Sequence, residues 1–173
     1  MFEIRNDDVL QVGWSSFHHY CRLINKSSWE WFLEADKIFE KYNYPCTLVV
    51  LADGIDKLPH WVEHIKKNQH RYKIELHGSS HHYYCNMTEE EGYKDLLHAK
   101  EKIEKEFNVK IESWYVPYGR RKFPKWGPKV CKRLGINFDV VGRDVKQYKF
   151  HYWHKGQVEK VKKTIQCQTQ GNN

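Results

Sequence analysis

The sequence predicts an α/β domain built on a mostly parallel sheet. Short apolar runs alternate with longer amphipathic ones along the whole chain. The amphipathic stretches carry helix-start signals, and neither an internal repeat nor a membrane-length apolar run offers another architecture. Such alternation implies parallel strands joined by right-handed crossovers, in a doubly wound sheet or a barrel.

The first strand is expected over Phe2–Arg5, an apolar run that ends before Asp7 and Asp8. The segment from Leu10 to Ser27 has little apolar period and reads as a long functional loop, with Trp14, His18 and His19 placed to cover a site. Ser27-Ser28-Trp29-Glu30 matches a capping box, in which the first side chain and the Glu three positions on satisfy orphan amides, so a helix is expected from there to about Tyr42. Thr47–Ala52 is the second strand. Pro59 suits the first turn of a helix through about Gln69, where a missing N–H costs nothing. Tyr72–Leu76 is the third strand, and a second capping box at Thr88-Glu89-Glu90-Glu91 opens a helix to about Phe107. Ile111–Val116 is the fourth strand, followed by a helix that begins at Pro124 or Lys125 and stops at Gly135. Asn137–Val141 and Lys149–Trp153 complete the strands, and a last helix covers about Gln157–Thr164. Residues 166–173, "QCQTQGNN", form a polar tail expected to fray.

With 173 residues, the chain has room for one core and little more, so residues 1–165 are expected to form a single domain. The five cysteines are odd in number and lack any C-x-x-C pair, which suits reduced thiols and, with no recognisable leader, a cytoplasmic protein. No membrane partner is expected. The net charge of +7 comes from lysines spread over the helices, the pattern of a solvated surface. A nucleic-acid binder is a competing reading, drawn from the basic and aromatic interleaving of "YGRRKFPKWGPKVCKR". It is disfavoured because Asp7, Asp8 and Asp144 would repel phosphates.

In parallel α/β folds function sits at the C-terminal ends of the strands. Titratable residues recur there: Asp7 and Asp8 after strand one, His77, His81 and His82 after strand three, Arg143 and Asp144 after strand five, and His154 after the last. His77 and His81, four residues apart around Gly78-Ser79-Ser80, can turn two imidazoles toward one point. Imidazole suits zinc and similar divalent metals, and a carboxylate such as Asp8 completes a three-ligand site with positions left for water and substrate.

In order, "NDDV", "HGSSH", "VPYG" and "FHYWHKG" resemble the motif series of the polysaccharide deacetylase family, the NodB-type domains of carbohydrate esterase family 4. The resemblance spans Phe2 to about Gly156. It implies a distorted, incomplete (β/α) barrel, and a metal-dependent hydrolase that removes an acetyl group from an N-acetylated sugar or polysaccharide. By the same resemblance Asp7 is the general base, and Asp8, His77 and His81 bind the metal, with zinc as the expected ion. His154 is the general acid. Pro117, Tyr118 and Gly119 match the groove-wall motif, with the Tyr118 amide as an oxyanion donor.

Two further assignments rest on the residues themselves, and a third on the resemblance. A carboxylate should orient His154, with Asp144 as first choice and Asp139, further back along its strand, as the alternative. Among the aromatics, Tyr118 and Trp126 are assigned to a sugar groove because flat faces stack on pyranose rings; Trp114, Tyr115, Tyr152 and Trp153 are assigned mainly to the core. Finally, the chain departs from the motif series at Tyr115, where an arginine that holds the base aspartate is usual. Arg120, Arg121 and Arg143 are the candidates to replace it, and a catalytically inactive carbohydrate- or metal-binding relative is the alternative function. Gly78 also replaces a hydroxyl residue, and Lys155 stands where an acid often follows the last histidine.

Overall fold

A computed structural model describes residues 3–12, 24–118, 123–139, 147–150 and 155–170. Its elements alternate as β1 (Glu3–Val9), α1 (Ile24–Tyr42), β2 (Cys46–Leu51), α2 (Pro59–Lys67), β3 (Tyr72–Gly78), α3 (Glu89–Phe107), β4 (Ser113–Tyr115), α4 (Gly127–Leu134), β5 (Asn137–Asp139), β6 (Gln147–Phe150) and α5 (Lys155–Gln170). The six strands form one sheet in the order β5-β4-β3-β2-β1-β6. Every pair is parallel. Among the described residues β5 and β6 remain edges, so the sheet is an incomplete (β/α) barrel, as expected.

Strand alternation sorts the side chains into two faces. Ile4, Leu48, Val50, Ile74, Leu76 and Trp114 join Phe32 and Phe39 of α1, Ile65 of α2, Leu96 and Ile103 of α3, Val130 of α4 and Ile165 of α5 in one hydrophobic cluster. The helices therefore cover that face. Arg5, Thr47, Val49, Glu75, His77 and Tyr115 alternate with the first set and are also buried, yet none belongs to that cluster. They leave the opposite face, the inside of a barrel segment, which strand side chains fill. This interior is unusually polar, and the site is built from it.

Several element boundaries differ from expectation. β1 continues through Asp7 and Asp8 to Val9 instead of ending at Arg5, because the inner face accepts polar side chains that break the apolar pattern. α1 starts at Ile24, so Ser27 lies inside the helix and is not its cap; nothing in Ile24-Asn25-Lys26 bars helical backbone. α4 starts at Gly127, two to three residues late. At the C-terminus, α5 runs to Gln170 past the expected end at Thr164. Residues 166–170 thus extend a helix whose Val161 and Ile165 are buried, and Gln166 Nε2 donates to the Tyr42 hydroxyl at 3.0 Å. The Thr88 capping box is present as expected, with Thr88 and Glu91 satisfying each other's amides. No helix among the described residues is long and apolar enough to cross a membrane.

Candidate functional site

Two adjacent residues of a regular strand point to opposite faces, so Asp7 and Asp8 can share a site only if the strand breaks its alternation. It does. The β1–β2 register shifts between Asn6 and Val9, and Asp8 adopts φ 62°, a left-handed conformation that Asp tolerates better than most residues. β3 carries a matching shift, between Leu76 and Gly78 opposite Val50 and Leu51, where His77 is the extra residue. Such bulges re-aim side chains beside functional sites.

The result is a convergence of three ligand-type side chains. The donor atoms of Asp8, His77 and His81 all lie within 4.8 Å of one another. His77 Nε2 and His81 Nε2 each stand 3.0 Å from Asp8 Oδ1. His77 Nδ1 lies 2.5 Å from the Tyr115 carbonyl, which can only accept, so Nδ1 carries the proton and donates it. In the neutral ring that leaves the Nε2 lone pair facing a carboxylate oxygen. Two imidazole nitrogens and a carboxylate oxygen around one point are donors that a divalent cation can take. The donor types, N, N and O from three side chains, fit zinc with positions left open.

The loop between the two histidines is held from α3. Asp95 accepts from the Ser79 amide at 3.3 Å and from the Tyr84 hydroxyl at 2.5 Å, and also from the Ser79 hydroxyl. Gly78 has φ +129°, and a Cβ there would fall 1.9 Å from the Tyr84 hydroxyl oxygen. Its lack of a side chain lets Tyr84 reach Asp95. Sequence reasoning missed both Asp95 and Tyr84, because neither sits in a strand-end motif.

Asp7 is buried beside this set, and the arginine that holds it is Arg5. Arg5 Nε donates to Oδ1 at 2.7 Å and its NH2 group to Oδ2 at 3.2 Å. Arg5, two positions from Asp7, was not among the sequence candidates, although period-two alternation puts the two on one face once β1 is extended. Arg120, Arg121 and Arg143 lie outside the described residues, as do Gly119, Asp144, His154, Trp14, His18, His19, Tyr152 and Trp153. Asp139 is the last residue of β5, paired with Tyr115.

Tyr118 packs against His81, whereas Trp126 packs against Trp114. The Tyr118 ring packs edge-on to His81, centroids 4.3 Å apart, and stacks on Tyr83 at 3.8 Å. Burial, with Tyr83 and the Asp8 charge adding to it, pushes the Tyr118 phenol up to about 12. Pro117 precedes it and is buried. A cavity of about 380 Å³ opens alongside, lined in part by Leu10, Asp53, Ser80, His81 and Tyr118. Trp126 instead stacks on Trp114, with ring planes 7° apart. Its Nε1 donates to the Met87 carbonyl at 2.9 Å, and its ring fills the slot that Gly92 leaves on α3. Partly buried, it packs against the helix-covered cluster and is not among the residues that line that cavity.

An open parallel barrel with an Asp, His and His donor set at its strand ends is the layout of a NodB-type domain. The chain belongs to the polysaccharide deacetylase family, whose profile matches residues 27–138. Solved structures agree in fold. A pseudoenzyme of carbohydrate esterase family 4 from Bacillus anthracis superposes with a TM-score of 0.74 at 13% identity, covering 100% of this chain and 61% of its own. This chain thus spans about three fifths of that protein. A family 4 carbohydrate esterase from the same organism gives 0.71 at 15% identity, covering 99% of this chain and 76% of that one. The peptidoglycan deacetylase PdaC from Bacillus subtilis gives 0.68 at 12%, covering 98% and 83%. No curated protein matches the sequence.

Proposed function

We propose that this protein is a metal-dependent hydrolase that removes an acetyl group from an N-acetylated sugar or polysaccharide. The observation that carries the reading is the convergence of Asp8, His77 and His81 donors within 4.8 Å, on the residue next to a buried, arginine-held carboxylate, Asp7. Family membership supports the same chemistry, and the peptidoglycan deacetylase among the structural neighbours supports an N-acetylated glycan as substrate.

Amide hydrolysis needs a nucleophile at neutral pH, a home for the developing oxyanion and a proton for the departing amine. Zinc held by Asp8, His77 and His81 would polarise the acetamide carbonyl and lower the pKa of a water toward about 7. Asp7 accepts the proton of the attacking water on its carboxylate. The Tyr118 backbone N–H donates to the carbonyl oxygen as it gains charge, a role worth about 3 kcal/mol of barrier in other enzymes. His154 gives a proton to the leaving nitrogen. It follows β6, whose Phe150 is paired with Asn6, the residue before Asp7. Asp144 is the proposed partner that orients it.

The inactive-relative reading drew its force from Tyr115 at the arginine position. Arg5 on Asp7 supports the active reading instead. A screen for acetate release from N-acetylated glycans, run beside metal analysis of the purified protein, tests the proposal. It requires bound divalent metal and release that stops when the metal is removed. Full metal occupancy with no release from any such glycan would favour the inactive relative.

A further inference from the structure

Arg5 and Tyr115 are separated by two strands in the sheet, β2 and β3, yet the Arg5 Cζ lies 4.4 Å from the Tyr115 ring centroid. Strands spaced about 4.8 Å apart put β1 and β4 about 14 Å from each other along a sheet, so the two side chains meet by reaching toward each other across the inner face. Arg5 ends on Asp7, and the Arg5 and Asp7 side chains are each 1% exposed.

We propose that Arg5 and Tyr115 are an exchanged pair. Arg5 is the positioning residue for the base Asp7, and the Tyr115 ring is the surface that holds the guanidinium in place. Tyr115 stands where the resemblance leads to an arginine, and Arg5 of β1 brings a guanidinium to Asp7 from across the inner face. This deepens the reading of Asp7 as proton acceptor and rests on it.

Three observations support the exchange. A guanidinium that donates through Nε to one carboxylate oxygen and through a terminal nitrogen to the other fixes the plane of the carboxylate as well as its place. A lysine, a point charge on a flexible stem, lacks that geometry. The planar cation also lies over an aromatic face, a favourable contact once water is excluded. Finally, the Tyr115 carbonyl accepts from His77 Nδ1. One residue of β4 therefore orients a candidate metal ligand through its backbone and the base-holding arginine through its ring.

The test compares wild type with Arg5→Met, Arg5→Lys and the double variant Arg5→Met/Tyr115→Arg, which returns the guanidinium to β4. Zinc content, kcat and KM for acetate release, and Tm are measured for each. Arg5→Met should keep one equivalent of zinc and a KM within about twofold, while kcat falls about hundredfold, the scale of a misplaced catalytic group. Arg5→Lys should not recover kcat, and the double variant should recover at least about tenfold over Arg5→Met. A thermodynamic cycle supplies a readout independent of turnover: Arg5→Met should lower Tm by about 10 °C by removing the buried cation paired with Asp7, and adding Asp7→Asn should restore most of that loss. Unchanged kcat in Arg5→Met, or strictly additive Tm changes in the cycle, would overturn the exchange. Absence of acetate release from wild type would instead strike the deacetylase reading, and the Tm cycle would still decide whether Arg5 and Asp7 act as a pair.

Discussion

Asp7 and Asp8 share a peptide bond, and the roles proposed for them differ because the backbone aims their carboxylates differently. A left-handed turn at Asp8 sends its carboxylate to the two histidines, while Asp7 keeps the strand direction and meets Arg5. The two isosteric amides should therefore behave differently. Asp8→Asn is expected to lose zinc, because an amide oxygen is a far poorer ligand than a carboxylate. Asp7→Asn should retain one equivalent of zinc by elemental analysis yet lose about 10²–10⁴ in kcat, the usual worth of a general base. Exchanged phenotypes would mean that the neighbours are assigned backwards. His154→Ala, by the same logic, should lose about 10²–10⁴ on an N-acetyl substrate and far less on an activated aryl acetate, whose leaving group needs no proton. Equal losses on both would remove His154 from the acid role.

At the scale of elements, the sheet and helices present the candidate site through two devices, a register shift in each strand that carries a candidate ligand and a loop tied to α3. Gly78→Ala tests the second. The substitution must place a Cβ at φ +129° and into the Tyr84 hydroxyl, so a loss of about 2 kcal/mol or more in urea unfolding is expected, together with weaker zinc binding as Asp95 loses its hold on Ser79. Thr88→Ala removes only a helix cap and should cost about 1 kcal/mol without changing zinc affinity. Element order, the second capping box and the Gly135 stop were all legible in the sequence, because each rests on local chemistry. β1 was cut short for a definable reason: Asn6, Asp7 and Asp8 look like a strand end when polar residues are assumed to face water, and here the barrel interior is polar. The length of α5 was missed similarly. "QCQTQ" is polar but contains no breaker, and burial of Ile165 carries the helix on.

For the molecule as a whole, one face of the sheet carries the hydrophobic cluster and the other carries the candidate site. The cysteines report on the first. Cys46 and Cys131 are buried, whereas Cys85 and Cys167 are exposed. Burial pushes the Cys131 thiol up to about 12, so almost none of it is thiolate at pH 8, and the thiolate is the reactive form. Alkylation of the native protein should mark Cys85 and Cys167 first and reach Cys46 and Cys131 only on unfolding, as peptide mass mapping would show. The second face held what the sequence could not display. Trp126 reads as a groove residue because a flat face can stack on a sugar ring, and the chain cannot display the slot at Gly92 on a distant helix into which it packs. The arginine on Asp7 was sought downstream, near the motif that lacks it, and stood two residues upstream. Release of acetate from an N-acetylated chito-oligosaccharide, followed for the zinc-loaded protein, the zinc-stripped protein and Asp7→Asn, tests the central claim most directly. The account predicts turnover that disappears on stripping, returns with zinc, and falls about 10²–10⁴-fold in Asp7→Asn at full zinc occupancy; release that survives stripping, or that Asp7→Asn leaves unchanged, would contradict it.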